Sequence, residues 1–129
     1  MFGTNVIRKY EDNFEGQTVQ VHEVFRTIQG EGPLSGVPSV FVRLTGCNFR
    51  CWFCDTHWND EEDPYYVVGQ LVQDIRDCGK TPLVVITGGE PCRQNLAPLV
   101  GNLRAYGYKI QVETAGSIWQ DCLVDTTIV

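Results

Sequence analysis

The feature that most restricts the fold is an alternation of short apolar segments with amphipathic ones. Three segments rich in β-branched residues predict strands, and two segments with apolar residues three and four positions apart predict helices. The predicted strands are 39–45, 83–87 and 109–113, and the predicted helices are 64–78 and a second one that Asn95 caps and Gly107 ends. Strands that alternate with helices favour a parallel sheet with right-handed crossovers.

Two further segments extend this pattern towards the ends of the chain. Residues 19–24 alternate like a strand, residues 123–129 begin a fourth core strand, and residues 1–16 are polar and expected to be loosely ordered. A complete eightfold β/α barrel needs at least about 200 residues. Because the chain has 129 residues, we expect one α/β domain, 1–129, that is too short for a complete barrel.

The charge balance excludes several classes of partner. Ten Lys and Arg residues stand against 16 Asp and Glu residues, which leaves a formal net charge of −6. This balance argues against nucleic acid and against a polybasic membrane anchor. No apolar run approaches the roughly 20 residues of a membrane span, and the first residues lack the apolar core of a signal peptide. We therefore expect a cytoplasmic protein.

Polar, glycine-bearing segments follow three of the predicted strands. They are Thr45–Cys47, Thr87–Pro91 and Glu113–Gly116. In a parallel sheet the carboxyl ends of the strands lie at one edge, where active sites gather. The three segments therefore predict one pocket.

Three of the six cysteines lie within eight residues, at Cys47, Cys51 and Cys54. A cytosolic chain with this much apolar core does not need a disulfide framework. Structural zinc is normally closed by four ligands, and no second pair of cysteines follows. A cubane iron–sulfur cluster normally has four cysteine ligands, so three would leave one iron open to another molecule. A zinc site or simply buried thiols remain alternatives.

Two motifs together resemble the radical S-adenosylmethionine (SAM) superfamily. They are Cys47-x-x-x-Cys51-x-x-Cys54 and Thr87-Gly-Gly-Glu-Pro91. The segments 29–32, 41–48, 54–56 and 113–117 resemble, more narrowly, the 7-carboxy-7-deazaguanine synthase family. The resemblance implies a partial (β/α) barrel of the radical SAM type, about half to two thirds of the usual core, with an N-terminal strand and loop extension and a barrel that is truncated after Val129. It also implies a lyase that converts 6-carboxy-5,6,7,8-tetrahydropterin to 7-carboxy-7-deazaguanine and ammonia, a step towards queuosine.

The resemblance assigns roles to individual residues, with the radical itself carried by SAM. Cys47, Cys51 and Cys54 hold a [4Fe–4S] cluster, and Thr56 lies near Mg²⁺. SAM contacts fall on Phe53, Thr87, Gly88, Gly89, Glu90, Glu113 and Ser117. Substrate contacts fall on Gln29, Gly30, Glu31, Gly32 and Arg43. An arginine suits the substrate carboxylate because its guanidinium binds carboxylates in bidentate fashion.

Each assignment has a plainer structural alternative. The glycines are also typical of ordinary turns, Arg43 of an ion pair on a strand, and Phe53 of core packing. Two other functions remain open: an activase that installs a glycyl radical on a partner protein, and a catalytically incomplete fragment that binds an iron–sulfur cluster. The resemblance further implies an electron donor such as flavodoxin and a homodimer.

Overall fold

The computed structural model describes residues 10, 12–46, 63–118, 120 and 124–129. Within these ranges the chain forms one six-stranded sheet with helices against it. The strands are β1 Thr18–Ile28, β2 Pro38–Leu44, β3 Tyr65–Val67, β4 Leu83–Gly88, β5 Lys109–Glu113 and β6 Thr126–Ile128. The helices are α1 Asn13–Gly16, α2 Val68–Asp77 and α3 Ala97–Ala105, and a 3₁₀ turn spans Pro91–Arg93.

The sheet is mixed, with the strand order β3-β1-β2-β4-β5-β6. Strands β2, β4, β5 and β6 are parallel, as predicted, whereas β1 is antiparallel to both β2 and β3. The reason is the length of the connection, because the loop between β1 and β2 is too short for a crossover and permits only a hairpin-like return. The first strand is therefore an antiparallel extension of a parallel α/β core.

The two faces of the parallel strands differ in chemistry. Val40, Val42, Val84, Ile86 and Ile110 belong to the core that also contains the buried faces of α2 and α3. Successive side chains in a strand point to opposite faces. Arg43, Thr87 and Glu113 therefore lie on the face away from the helices, close to the carboxyl ends of their strands.

The predicted first helix begins four residues later than expected. Residues Tyr65–Val67 pair with Thr18–Gln20 as β3, and α2 begins only at Val68. Pro64 therefore precedes a strand and does not lie in the first turn of a helix, because pairing with β1 outweighs the local helical pattern. The end of the helix is as predicted, since Gly79 follows it with a φ of +107°.

The second helix and the chain ends differ from the prediction in smaller ways. Helix α3 begins at Ala97, while Asn95 accepts a hydrogen bond from the Ala97 N–H at 3.1 Å. The fourth parallel strand spans only Thr126–Ile128, and residues 121–123 lie outside the described ranges.

Part of the segment that we expect to be loosely ordered, residues 12–16, has regular structure and contacts with the rest of the chain. They include α1, and the Asn95 amide donates to the Asp12 carboxylate at 2.9 Å. Gly16, which is buried, lies against Pro98 of α3. None of the helices in the described portion is long and apolar enough to cross a membrane.

Candidate functional site

Three loops meet at the carboxyl edge of the parallel strands. They follow β2 at Thr45–Gly46, β4 at Gly89–Glu90 and β5 at Thr114–Gly116. Parallel register aligns the strand ends, with Leu44 opposite Gly88 and Arg43 opposite Thr87. The three polar strand ends therefore lie at one edge of the sheet, and the pocket expected there stays a prediction.

Glu90 joins all three loops. Its side chain is buried, with 1% exposure. One carboxylate oxygen accepts from the Thr114 hydroxyl at 2.6 Å and the Ala115 N–H at 2.8 Å, and the other accepts from the Cys92 N–H at 2.7 Å. The backbone N–H of Glu90 donates to the Gly46 carbonyl at 3.0 Å. Glu90 therefore fixes the loop geometry, in addition to its predicted contact with SAM.

The glycine requirement at Gly88 comes from a neighbouring strand. Gly88 has a φ of +145°, and a Cβ atom there would overlap the backbone of Leu44 on β2. Only glycine tolerates both the conformation and the close approach. The start of the loop after β4, at Gly88, thus lies directly against the backbone at the end of β2.

Gln29 and Glu113 contact each other. The family resemblance predicts that Gln29 binds substrate and that Glu113 binds SAM. The Gln29 amide donates to the Glu113 carboxylate at 3.0 Å, and its carbonyl oxygen accepts from the Glu31 N–H at 3.1 Å. Gln29 is buried, with 2% exposure. The turn that contains Gly30 and Gly32 is exposed, so Gln29 anchors this turn to the end of β5.

Arg43 lies on the same face but has a protein partner. Its guanidinium lies 3.3 Å from the Glu23 carboxylate and 5.9 Å from the centroid of the Phe25 ring. The Arg43 side chain is 34% exposed and that of Glu23 45% exposed. An ion pair this exposed contributes little to stability, which leaves the guanidinium available for an anionic ligand.

A polar cluster that sequence reasoning missed joins the chain on either side of residues 47–62. The Thr45 hydroxyl donates to the Asp63 carboxylate at 2.7 Å, and a His22 ring nitrogen lies 3.0 Å from the same oxygen. Gln20 donates to the Asp63 carbonyl at 3.1 Å. Thr45 and Asp63, which flank the cysteine-bearing segment, are therefore held together by a hydrogen bond. The alternation of β1 would place Gln20 and His22 on one face, but nothing in the sequence indicates their partner.

The remaining predicted site residues fall into two groups. Ser117 lies exposed in the bend after β5. Cys47, Cys51, Phe53, Cys54 and Thr56 lie outside the described residues, so their roles stay predictions. Of the other cysteines, Cys78 packs against the core and Cys92 is part of it.

Comparison with known proteins identifies relatives over most of the chain. The chain is 48% identical over 122 residues to the 7-carboxy-7-deazaguanine synthase of Rhodospirillum rubrum, covering 94% of this chain and 52% of that protein. It is 37% identical to the enzyme of that name from Rickettsia prowazekii, covering 100% of this chain and 57% of the relative. The chain thus spans about half the length of the curated relatives it matches.

A solved structure and a family model agree with these relatives. The crystal structure of QueE from Escherichia coli matches with a TM-score of 0.77 and 31% identity, covering 90% of this chain and 61% of that one. The match extends the resemblance from sequence to fold, and confirms the predicted partial α/β barrel of the radical SAM type. The model of the radical SAM superfamily matches residues 41–123, which include both the cysteine motif and the Thr87–Pro91 loop. On these grounds, the chain belongs to the radical SAM superfamily.

Proposed function

We propose that this chain acts as a 7-carboxy-7-deazaguanine synthase, or as part of one. Such an enzyme is a radical SAM carbon–nitrogen lyase that converts 6-carboxy-5,6,7,8-tetrahydropterin to 7-carboxy-7-deazaguanine with release of ammonia. The observation that carries the proposal is the contact between Gln29 and Glu113. It joins the segment predicted to bind substrate to the segment predicted to bind SAM, at the edge where Thr87–Glu90 also lies.

Superfamily membership implies a [4Fe–4S] cluster and SAM as cofactors. When bound, the cluster supplies the electron that cleaves the sulfonium of SAM. We assign the cluster to the thiolates of Cys47, Cys51 and Cys54, a donor set that suits iron. The described residues fit this assignment, because Thr45 and Asp63 hold together the two ends of the segment that bears these cysteines.

Glu90 is suited to hold the SAM ammonium. A carboxylate offers about four acceptor positions, and three donors of this chain bind Glu90. One position is therefore left for a cationic donor, and the three existing bonds hold the carboxylate in place without further ordering cost. In the proposal Thr87, Gly88, Gly89, Glu113 and Ser117 complete the SAM contacts.

Arg43 is suited to bind the substrate carboxylate. Its guanidinium lies near both the Glu23 carboxylate and the Phe25 ring, and the substrate carboxylate would be a second anionic partner for the same guanidinium. Gln29, Gly30, Glu31 and Gly32 would face the ring of the pterin. The proposal further includes Mg²⁺ near Thr56, an electron donor such as flavodoxin, a homodimer and the cytoplasm as compartment.

The test is anaerobic reconstitution with iron and sulfide, followed by incubation with the carboxypterin, SAM, Mg²⁺ and a reductant. We expect iron to bind and 7-carboxy-7-deazaguanine and ammonia to form in equal amounts. Arg43→Met should weaken pterin binding, while Arg104→Met, which changes an exposed arginine on α3, should not. A chain that binds iron and SAM yet forms no product would contradict lyase activity of this chain by itself and leave superfamily membership intact.

A further inference from the structure

A glutamine side chain joins the loop after β4 to β1, although β2 lies between these two strands in the sheet. Gln94 follows the 3₁₀ turn at the end of this loop, and its side chain is fully buried. Its amide oxygen accepts from the Gln20 N–H at 2.8 Å, and its amide nitrogen donates to the Gln20 carbonyl at 2.9 Å. One side chain therefore binds both backbone groups of Gln20, as a residue of a neighbouring strand would.

The 3₁₀ turn between Glu90 and Gln94 is held by hydrogen bonds on two sides. The Gln94 N–H donates to the Pro91 carbonyl at 3.2 Å, which closes the turn. The Gln120 amide donates to the Cys92 carbonyl at 2.8 Å and also to the Gln94 carbonyl. The position of the turn thus depends on the side chains of Gln94, which bind it to β1, and of Gln120, which bind its carbonyls.

The turn carries the Cys92 N–H, which holds one carboxylate oxygen of Glu90. Oε1 of Glu90 accepts from Thr114 and Ala115, whereas Oε2 accepts, among the described residues, from the Cys92 N–H alone. Each carboxylate oxygen offers about two acceptor positions. The position that remains for the SAM ammonium is therefore on Oε2, the oxygen that the turn holds.

We propose that Gln94 is a positioning residue for the SAM ammonium site at Glu90. Its two bonds to Gln20 fix the turn to β1, and the turn in turn fixes the Cys92 N–H that holds Oε2 of Glu90. An acceptor that is already in place binds a charged group better, because no reorganisation is needed on binding. This inference rests on the proposed role of Glu90 towards SAM.

The test compares Gln94→Leu with the unaltered chain in two measurements. Leucine is similar in size to glutamine but lacks both amide groups. The first measurement is hydrogen exchange of the Cys92 amide, followed by NMR in the purified chain before reconstitution. The second is SAM binding, measured by equilibrium dialysis after anaerobic reconstitution. The matched control is Ile75→Val, which removes a methyl group from the buried face of α2 and lowers stability away from the turn.

We expect faster exchange at Cys92 in Gln94→Leu, and SAM binding that is about tenfold weaker, as for the loss of one hydrogen bond to a charged group. Ile75→Val should change neither quantity. A double substitution identifies the route of the effect. In the Glu90→Gln background the carboxylate that the turn holds is absent, so the addition of Gln94→Leu should weaken SAM binding no further.

The outcomes separate this inference from the proposed function. Unchanged exchange at Cys92, or faster exchange with unchanged SAM affinity, overturns the inference and leaves the lyase untouched. Equal weakening by Gln94→Leu with and without Glu90→Gln also overturns it, because Gln94 would then act by another route. If Gln94→Leu does not fold, Gln94→Asn decides in its place, since its amide is one methylene group too short for the same two bonds. An unaltered, reconstituted chain that binds no SAM overturns the inference and the proposed function together.

Discussion

The side chains of Gln29 and Glu113 meet at 3.0 Å although 84 positions separate them in the sequence. Gln29 follows β1, the antiparallel strand that extends the sheet, and Glu113 ends β5 of the parallel core. The contact therefore couples the extension to the core at the edge where the candidate site lies.

Replacement of Gln29 by leucine should destabilise the chain. The change removes the hydrogen bonds that Gln29 makes to the Glu113 carboxylate and to the Glu31 N–H. The loss of a hydrogen-bond partner by a buried polar group lowers the free energy of unfolding by about 1–3 kcal/mol. Urea unfolding measures the loss. The control is Gln70→Leu, which removes an exposed hydrogen bond to Asp74 on α2 and should cost no more than about 0.5 kcal/mol. Equal effects of the two changes would contradict the role of Gln29 as an anchor.

Glu90→Gln should destabilise the chain although it barely changes the shape of the side chain. An amide has one acceptor oxygen, so at least one of the three donors around Glu90 would face an NH₂ group. We expect a loss of about 1–3 kcal/mol and weaker SAM binding, measured by thermal unfolding and by equilibrium dialysis. Asp77→Asn, on the exposed face of α2, is the control. Unchanged unfolding would mean that the three bonds contribute nothing.

Thr45→Val should loosen both ends of the cysteine-bearing segment. Valine has the size of threonine but lacks the hydroxyl that donates to Asp63. We expect a loss of about 1–2 kcal/mol and faster release of iron from the reconstituted protein. Thr127→Val, at an exposed position on β6, should leave both quantities unchanged. Iron release at the original rate in Thr45→Val would refute this account of the segment.

Two glycine-to-alanine changes should have opposite effects. Gly88→Ala adds a methyl group into the backbone of Leu44 at a φ of +145°, and we expect this variant not to fold. Gly101→Ala lies in α3, where nothing is within 4 Å of the added atom, and should stabilise the chain by about 0.5–1 kcal/mol. Thermal unfolding of the two variants is the measurement, and a folded Gly88→Ala protein of normal stability would contradict the predicted overlap.

Cys78 should react slowly with alkylating agents near neutral pH. Burial, followed by the carboxylates of Asp74 and Asp77, raises the pKa of its thiol, and Arg26 opposes them. Because the thiolate is the reactive form, the rate of alkylation of Cys78 should rise at a higher pH than the rate for a solvent-exposed thiol. Iodoacetamide labelling followed by mass spectrometry measures the pH profile. Asp74→Asn should move the profile to lower pH, and a shift to higher pH would contradict the stated cause.

Much of the fold could be predicted because its signals are local. The strand at Leu83–Gly88 and the stripe of α2 appear as short-range patterns of apolar residues, and Gly79 marks the helix end through its own conformation. The same local pattern wrongly predicted a helix at Tyr65–Val67, where pairing with β1 makes this segment a strand. That pairing depends on residues nearly 50 positions away, which no window of sequence contains.

The amino-acid sequence by itself determined which segments become strands, which of their faces are apolar, and which motifs lie at the strand ends. The tertiary structure alone decided which residues meet there: Gln29 with Glu113, Thr45 with Asp63, and the Arg93 guanidinium with the backbone of Gly46. The physical reason is that periodicity acts over a few residues, whereas each of these contacts depends on sheet register and loop path. Those are set only when the whole sheet assembles.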